Sequence, residues 1–244
     1  MFGWFKKNKE AEPLPNYDFV SVDIHSHVLP GIDDGAATVG DSMLLIERMV
    51  AMGIKKVIAT PHIMADYFRN NAETIGNALQ VLKEHVAPVY SDLIIEAAAE
   101  HYFDEHFLDL IETDQLMLMK NKYVLFEFSF TNRPPSVVPI LQKITGKGLT
   151  PILAHPERYP YLTLAEVVEM REWGCLIQLN TISLTGYYGK QVRQSAEKLV
   201  DAGLIDFISS DMHHLKHADA LQQALKLPYV KMLSERDLMN KQLL

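Results

Sequence analysis

Short apolar segments alternate with longer amphipathic segments along most of the chain. Seven apolar segments have the length of buried β-strands, and they cover residues 19–24, 56–60, 93–98, 123–127, 151–155, 175–180 and 207–211. The segments between them have helical spacing at residues 38–52, 72–86, 104–112, 136–147, 163–173 and 190–202, and the pattern after residue 218 is also helical. Strands that alternate with helices in this way predict parallel β-α-β units and an α/β fold.

The polar residues at the ends of the predicted strands favour a barrel over an open sheet. Six of the seven strands end in a histidine, an aspartate or a glutamate. In a parallel barrel these ends lie on one face, whereas in an open doubly wound sheet they spread along a crevice. Spacing alone fits both folds, so the strand-end residues decide the prediction, which is a (β/α) barrel with seven strands.

The segment Asp23-Ile-His-Ser-His27 carries the strongest chemical signal. Side chains alternate along extended backbone, so His25 and His27 are predicted to lie on the same side of a strand end. Two neutral imidazoles that converge on one point bind a divalent metal ion well. The Asp33-Asp-Gly35 turn that follows brings carboxylates to the same rim.

The strand ends and their adjoining turns supply nitrogen and oxygen ligands without sulfur. In chain order the candidate metal ligands are His25, His27, Asp34, His62, Glu100, Glu127, His155, Asp211 and His213. This chemistry suits manganese, iron, magnesium or zinc, and the set is too large for a single ion, so two or three ions are predicted. Metal ions about 3.5–4 Å apart stabilise the attacking and leaving oxygens of a phosphoryl transfer, which makes phosphate-ester hydrolysis the natural chemistry.

Taken singly, most of these residues have a simpler interpretation. A histidine at a strand end is more often a hydrogen-bonding rim residue than a metal ligand. Glu127 differs because it lies between Phe126 and Phe128. A carboxylate within an apolar strand is costly to bury unless it is paired or bound to a metal. The prediction of a metal centre therefore depends on the joint pattern.

Composition and charge exclude several function classes. The chain has 244 residues, 48% of them hydrophobic, and a formal net charge of −8. This charge argues against a nucleic-acid partner, since nucleic-acid-binding proteins usually present a basic face. The single cysteine, Cys175, excludes an intramolecular disulfide and fits a reducing compartment. No arginine follows it in a phosphate loop, so we predict a small core residue and not the nucleophile of a cysteine-dependent phosphatase.

Residues 1–17 are predicted to be an N-terminal extension and linker, followed by a single domain over residues 18–244. Residues 1–9 combine aromatic and basic side chains, which fits either a frayed extension or a weak contact with a membrane surface. Pro13 and Pro15 stiffen the connection to the first strand. The chain has no run of about eighteen apolar residues, so no membrane-spanning segment is predicted.

Five motifs together resemble those of the polymerase and histidinol phosphatase (PHP) superfamily. They are Asp23-Ile-His-Ser-His-Val-Leu-Pro-Gly-Ile-Asp-Asp-Gly35, Ala59-Thr-Pro-His62, Glu127-Phe128, Ile152-Leu-Ala-His-Pro-Glu-Arg158 and Ser209-Ser-Asp-Met-His213. The paired histidines alone indicate only the superfamily. The extended Asp-Asp-Gly turn and the His-Pro-Glu-Arg segment resemble one branch, the manganese-dependent tyrosine phosphatases of bacterial capsule and exopolysaccharide systems, of the CpsB/CapC/YwqE type.

The resemblance implies a distorted seven-stranded barrel with a trinuclear manganese centre at its mouth. One ion would be held by His25, His27, Glu100 and Asp211, a second by Glu100, Glu127 and His155, and a third by Asp34, His62 and His213. The residues around Glu100, Ala-Ala-Ala-Glu-His-Tyr, depart from the Gly-x-Glu that is usual there.

A mechanism also follows from the resemblance. A metal-bound hydroxide would attack phosphorus directly, and Asp211 or His213 could assist the leaving group. Arg158 is the best candidate to bind phosphate oxygens, because a guanidinium can bind two of them at once; the alternative is a surface ion pair. The family often has a further basic residue after its last histidine, and the candidates here are Lys216 and His217.

The implied substrate is a phosphotyrosine protein, a bacterial tyrosine kinase, and the implied location is the cytoplasm at the inner membrane face. Two other functions stay open. One is a small-molecule phosphatase of the histidinol-phosphate type, for which longer loop insertions are expected than the chain has. The other is a metal-binding regulatory module without catalysis, against which the complete ligand set argues. A PHP nuclease is disfavoured by the acidic charge balance.

Overall fold

A computed structural model describes residues 12–244, which form nine β-strands and eight α-helices. The strands are β1 (Val22–Asp23), β2 (Lys56–Ala59), β3 (His62–Ile63), β4 (Ile94–Ala97), β5 (Glu100–Tyr102), β6 (Tyr123–Glu127), β7 (Thr150–Ala154), β8 (Leu176–Asn180) and β9 (Phe207–Ser209). The helices are α1 (Val39–Ala51), α2 (Ala72–Val86), α3 (Glu105–Glu112), α4 (Val138–Gly146), α5 (Leu164–Glu172), α6 (Lys190–Asp201), α7 (Leu215–Ala224) and α8 (Pro228–Ser234). The suggested membrane contact of residues 1–9 lies outside the described residues.

The predicted alternation of strands and helices is confirmed, and local side chains set several helix starts. Helix α1 begins after Thr38, whose hydroxyl accepts a hydrogen bond from the Asp41 amide while the Asp41 carboxylate binds the Thr38 amide. The same reciprocal cap, a capping box, begins α2 at Asn71 and α5 at Thr163. These caps satisfy amide groups that have no partner within the helix.

The strands are parallel, as predicted, but the prediction of one closed seven-stranded barrel is not confirmed. Within residues 12–244 they form two sheets, with strand orders β1-β2-β4 and β3-β5-β6-β7-β8-β9. The predicted strands 56–60 and 93–98 are each followed by a further short strand, β3 and β5, after interruptions at Thr60–Pro61 and Ala98–Ala99. Proline lacks the amide hydrogen that a central strand needs, which explains the first interruption. An isolated parallel bridge joins Ser26 to Met212, beyond the ends of β1 and β9.

Alternating side chains in the strands divide the apolar core into two clusters. Tyr123 and Leu125 of β6 belong to an inner cluster with residues of β1, β2, β7 and β9. Val124 and Phe126 belong to the outer cluster, which includes the buried faces of the helices. Because side chains alternate along a strand, Glu127 follows Tyr123 and Leu125 on the inner side. The inner side of β6 therefore changes from apolar to acidic at its carboxyl end.

The other end of the inner cluster is closed by the C-terminal segment. Asn240, in a 3₁₀ turn over Met239–Leu243, donates hydrogen bonds to the carbonyls of Val22 and Ile208. At the start of the described chain, the Tyr17 hydroxyl donates to the carbonyl of Leu221 and is buried. None of the helices between residues 12 and 244 is long and apolar enough to cross a lipid bilayer.

Candidate metal centre

The nine candidate ligands converge at the carboxyl ends of the strands. Each belongs to at least one of four overlapping groups in which the nitrogen and oxygen ligand atoms lie within 4.8 Å of one another. Six are buried, namely His25, His27, Glu100, Glu127, His155 and Asp211. The others are nearer to solvent, with side-chain exposures of 12% for His62, 15% for His213 and 56% for Asp34. Within the part of the chain that the structure describes, all nine predicted positions therefore form one cluster.

The carboxylate of Glu100, at the start of β5, contacts four imidazoles. Its Oε2 atom lies 3.2 Å from Nε2 of His25, 3.3 Å from Nε2 of His27 and 3.2 Å from Nδ1 of His62. Its Oε1 atom lies 3.0 Å from Nε2 of His155. Glu100 is fully buried, so these imidazoles replace the water that an exposed carboxylate would bind.

Unusual backbone conformations place two of the ligands. His155 and Asp211 have φ angles of +31° and +49°, in the left-handed region that side chains other than glycine seldom adopt. Such strain persists only where the surroundings enforce it, and it is frequent at functional sites. Gly35 has a different role, because a Cβ atom there would lie 2.0 Å from the carbonyl oxygen of His27. The absence of a side chain lets the Asp33–Gly35 turn fold over His27.

Hydrogen bonds orient the two imidazoles of the first motif towards the cluster. Nδ1 of His25 lies 3.1 Å from the Gln178 side-chain oxygen, and Nδ1 of His27 lies 2.8 Å from the Asp33 carboxylate. Both partners can only accept, so each Nδ1 carries the proton. Each Nε2 atom is then the nitrogen that faces Glu100 and Asp211, and it can offer a metal ion its lone pair once any proton on it has been released. This is the arrangement found for metal-binding histidines, whose second nitrogen donates to a carboxylate or carbonyl.

Tyr159 orients His155 in a comparable way. Its hydroxyl lies 3.1 Å from the Ala154 carbonyl, accepts from the Phe128 amide at 3.0 Å, and lies 3.2 Å from Nδ1 of His155. A hydroxyl has one proton and two lone pairs. With its proton donated to Ala154, Tyr159 accepts from both other groups, which puts the His155 proton on Nδ1. Nε2 of His155 then presents its lone pair to Glu100.

Two buried ligand atoms at the centre have no hydrogen-bond partner among the described residues. Oε2 of Glu100 and Nδ1 of His62 are buried and form no hydrogen bond with any group of residues 12–244, although they lie only 3.2 Å apart. Carboxylate oxygens and unprotonated imidazole nitrogens repel one another unless a cation or a proton lies between them. Oxygen and nitrogen ligands without sulfur suit a hard or borderline divalent cation. The residues therefore fit a metal site.

Comparison with known proteins identifies the family. Residues 21–241 match the family described as "Capsular polysaccharide synthesis, CpsB/CapC". The chain belongs to the CpsB/CapC family. Among its relatives, tyrosine-protein phosphatase YwqE of Bacillus subtilis is 32% identical over 198 residues, which are 80% of this chain and 78% of YwqE. Tyrosine-protein phosphatase CpsB of Streptococcus pneumoniae is 29% identical over 202 residues, 80% of this chain and 83% of the relative.

The fold also matches that of a solved structure in this family. A crystal structure from work on YwqE of Bacillus subtilis and CpsB of Streptococcus pneumoniae, described as unique metal-dependent tyrosine phosphatases, superposes with a TM-score of 0.78. The match has 29% sequence identity and covers 88% of this chain and 92% of the solved chain. The expected resemblance to the CpsB/CapC/YwqE type is thus confirmed.

Arg158 of this CpsB/CapC family member lies at the edge of the metal centre. Its Nη1 atom donates a hydrogen bond of 2.8 Å to the buried Asp211 carboxylate. The guanidinium carbon lies 4.5 Å from the ring centre of Phe130 and 4.3 Å from that of Tyr188. The two aromatic faces attract the cation and hold its plane in place. The partner of Arg158 is thus a carboxylate of the cluster, and not the surface acid that the alternative interpretation supposed.

Sequence reasoning missed several residues that support the centre. Asp33 was named only as part of its turn and given no role of its own, and Gln178, Tyr159 and Asn180 were not singled out. The Asn180 side chain donates a 2.9 Å hydrogen bond to the Asp211 carboxylate. Gln178 and Asn180 are two residues apart at the end of β8, so they lie on the same side of the strand. Polar residues at the end of an apolar strand are the same sequence signal that identified Glu127. Tyr159 follows His155 by four residues and carries no comparable signal.

The two candidates for a further basic residue differ in position. His217 is buried and lines the same cavity of about 290 Å³ as the metal centre, whereas Lys216 is exposed and lines a different cavity. Burial lowers the pKa of His217 to about 4. His217 is therefore neutral near pH 7 and cannot supply positive charge to a phosphate.

Protons and metal ions compete for this site. Burial lowers the pKa of His25, but the charges of Glu100 and Asp211 raise it more strongly, to about 9. The pKa of Asp34 is lowered to about 2, because the hydrogen bond and charge of His213 outweigh the effect of burial. Metal-free protein near pH 7 therefore carries a proton on His25, between the carboxylates.

Manganese binding is expected to release protons, and its affinity is expected to rise with pH up to about 9. The ion must displace the proton of His25, whose pKa lies well above the ordinary value of 6.5. Calorimetric titration of metal-free protein in buffers of different ionisation enthalpy counts the protons released at each pH. The exposed His85→Ala variant is the control and should release the same number. Binding at pH 7 without proton release would contradict this prediction.

Proposed function

We propose that this chain is a metal-dependent phosphoric monoester hydrolase, a protein-tyrosine phosphatase with one catalytic domain over residues 18–244. The observation that carries the proposal is the buried Glu100 carboxylate in contact with four imidazoles. Relatives that carry the name tyrosine-protein phosphatase cover about 80% of the chain, and they support the choice of substrate. The same relatives weigh against a small-molecule phosphatase or an inactive regulatory module.

Two or three Mn²⁺ ions are proposed as the cofactor, with iron, zinc and magnesium as chemically acceptable replacements. The nine residues of the cluster would hold them, with Glu100 shared between two ions. When bound, such ions neutralise phosphate charge and lower the pKa of water so that it becomes a nucleophile near neutral pH. The imidazoles of His25 and His27 are already oriented for this role by Gln178 and Asp33.

Arg158 is proposed to bind the phosphoryl oxygens. A guanidinium has five N–H donors, and its Nη1 atom is bonded to Asp211. The remaining donors can stabilise the charge that develops on the equatorial oxygens in the transition state. Asp211 or His213 is proposed to assist the leaving group, and the phenol of phosphotyrosine leaves readily enough that this assistance is secondary.

The proposed substrate is a phosphotyrosine protein, a bacterial tyrosine kinase of capsule or exopolysaccharide synthesis, encountered in the cytoplasm at the inner membrane face. The family description, capsular polysaccharide synthesis, supports this setting. Phe130 and Tyr188 line the cavity beside the metal centre and offer aromatic faces to a phenyl ring.

Turnover of three substrates by the manganese-loaded protein tests the proposal. We expect hydrolysis of a phosphotyrosine peptide and of an aryl phosphate, and little hydrolysis of histidinol phosphate. Preference for histidinol phosphate would favour a small-molecule phosphatase, and no turnover despite bound metal would favour a regulatory module. Iodoacetamide should leave activity intact, because Cys175 is buried and burial raises its pKa to about 12.

Replacing Arg158 by alanine is expected to lower kcat/KM for an aryl phosphate by about 10²-fold, because one preorganised donor to the transition state is lost. Arg158→Lys should recover only part of this loss, since an ammonium keeps the charge without the two-pronged geometry. Steady-state kinetics at saturating Mn²⁺ gives both values. Arg48→Ala is the matched control, because Arg48 also pairs with an aspartate, Asp219, but lies outside the cluster. Equal kinetics for Arg158→Ala and the unchanged protein would exclude the proposed role.

A further inference from the structure

A second cavity of about 720 Å³ adjoins the metal centre and shares Phe130, Arg158 and Tyr188 with the smaller cavity of about 290 Å³ over the cluster. We infer that this side groove binds an acidic segment of the substrate polypeptide next to the phosphotyrosine. The inference rests on the proposed function and specifies the substrate further. We define the side groove as the cavity between the 3₁₀ turn Pro156–Arg158, the start of α5 and the first turns of α6.

The side groove adjoins the metal centre, so a substrate bound at the centre can also contact the groove. The guanidinium of Arg158 lies between the rings of Phe130 and Tyr188, and these three side chains form the boundary between the two cavities. When Arg158 binds the phosphoryl group, the polypeptide that carries the phosphotyrosine would lie at this boundary. The side groove is the larger of the two cavities, so it offers space for the residues that flank the phosphotyrosine.

The charge of the side groove is opposite to that of the whole chain. Lys190 and Lys198 of α6 line it, are exposed, and form no ion pair within residues 12–244. By contrast, Arg193 on the same helix is paired with Glu197. The chain as a whole has a formal net charge of −8. Two unpaired lysines on such a protein mark a local surface that attracts acidic residues.

Glu157 is the only carboxylate among the described residues that line the side groove, and it does little to offset the lysines. Glu157 is buried, and its Oε1 atom accepts hydrogen bonds from the Asn180 amide and the Ser183 hydroxyl. The Glu157 carboxylate is therefore held within the protein, and it lies below the surface that a peptide would touch.

Apolar side chains between the charges suit a polypeptide more than a small anion. Leu162 and Leu164 line the side groove, and Leu164 is 42% exposed. Exposed leucine beside unpaired lysines offers both apolar contact and charge, which an acidic peptide with aliphatic or aromatic residues can use together. A free phosphate would use the charges and leave the leucines in water.

Two phosphotyrosine peptides of equal length test the inference. One has glutamate on both sides of the phosphotyrosine, and the other has serine at the same positions. We expect the manganese-loaded protein to show a kcat/KM about tenfold higher for the acidic peptide at low salt, since two charge pairs at a rim have about this effect. The ratio should fall as sodium chloride is added, because salt screens exposed charges.

The double variant Lys190→Glu/Lys198→Glu should lower this acidic-to-neutral ratio to about one or less. Its loss on the acidic peptide should exceed its loss on an aryl phosphate at least about fivefold. Lys83→Glu, which reverses the charge of an exposed lysine on α2, is the matched control and should keep the ratio. Circular dichroism verifies that each variant is folded.

The possible outcomes separate the two proposals. Equal kcat/KM values for both peptides, or an unchanged ratio in the double variant, would overturn the side-groove inference, while aryl phosphate hydrolysis would leave the phosphatase proposal intact. Absence of turnover with every substrate would overturn both. If the ratio is unchanged but the double variant loses self-association in light scattering, the side groove binds a second copy of the chain and the inference is wrong.

Discussion

Chelation of the metal ions is expected to abolish hydrolysis of aryl phosphates and to lower the unfolding temperature. An ion at 100 times its dissociation constant stabilises the folded state by about 2.7 kcal/mol. For a domain of this size, about 1 kcal/mol shifts the midpoint by about 2–4 °C, so each lost ion should lower it by about 5–10 °C. Activity assays and thermal unfolding after chelation, followed by Mn²⁺ addition, measure both effects.

The difference in thermal unfolding midpoint between manganese-loaded and metal-free protein should increase with pH. The pKa of His25 in metal-free protein is about 9, above the ordinary value of 6.5, so its protonated form stabilises the metal-free fold at low pH. This contribution is complete below about pH 6.5 and is lost as the pH rises through about 9. Metal-free protein should thus lose stability over this range, and the midpoint gain on adding Mn²⁺ should increase.

Calcium in place of manganese provides the control for a general ionic effect. A cluster with five imidazoles favours manganese over calcium, which prefers oxygen ligands. We expect Mn²⁺ to restore both midpoint and turnover, and Ca²⁺ at the same concentration to restore neither fully. Full activity in the presence of a strong chelator, with no metal detected in the protein, would contradict a metal-dependent mechanism.

The strand ends could be predicted because their chemistry is local. Glu127 closes an apolar strand whose inner side is set by alternation, so both its burial and its direction follow from the residues before it. His25 and His27 are two residues apart, and the same rule places them together. Such predictions need only the order of residues and the period of the strand.

Other features depend on contacts between distant segments, and the sequence does not reveal them. The interruption at Pro61 can be foreseen from its missing amide hydrogen, but the one at Ala98–Ala99 cannot, since alanine fits a strand. Asp33 and Asp34 are adjacent carboxylates, and only the fold of the turn over His27 decides which one accepts from Nδ1 of His27 and which one faces His213. The closed seven-stranded barrel is not confirmed for the same reason, since strand pairing depends on the whole sheet.

Glu100→Gln is expected to have the largest effect of any single substitution in the cluster. The carboxylate of Glu100 lies within about 3.3 Å of His25, His27, His62 and His155, so one change alters contacts with four of the five candidate imidazoles. An amide keeps the volume but replaces one oxygen with a donor. We expect the variant to lose bound Mn²⁺ and kcat/KM to fall by about 10³-fold, beyond the 10–100-fold typical of residues behind the ligands.

Glu157→Gln is the matched control for this experiment. Glu157 is also buried, but its hydrogen bonds run to Asn180 and Ser183 and not to the imidazoles. Its pKa of about 7 means that an uncharged amide resembles the form already half populated near neutral pH. Metal analysis after extensive dialysis should show the manganese content retained in Glu157→Gln and lost in Glu100→Gln.

The comparison between these two glutamates separates a metal ligand from a buried acid that only supports the fold. If both variants lost manganese equally, the cause would be a general loosening of the strand ends, and near- and far-ultraviolet circular dichroism would show it. If Glu100→Gln stayed folded and kept its manganese and its turnover, the centre could not depend on this carboxylate. Loss confined to Glu100→Gln is the result expected if Glu100 holds the metal ions, because its two oxygens contact four of the imidazoles.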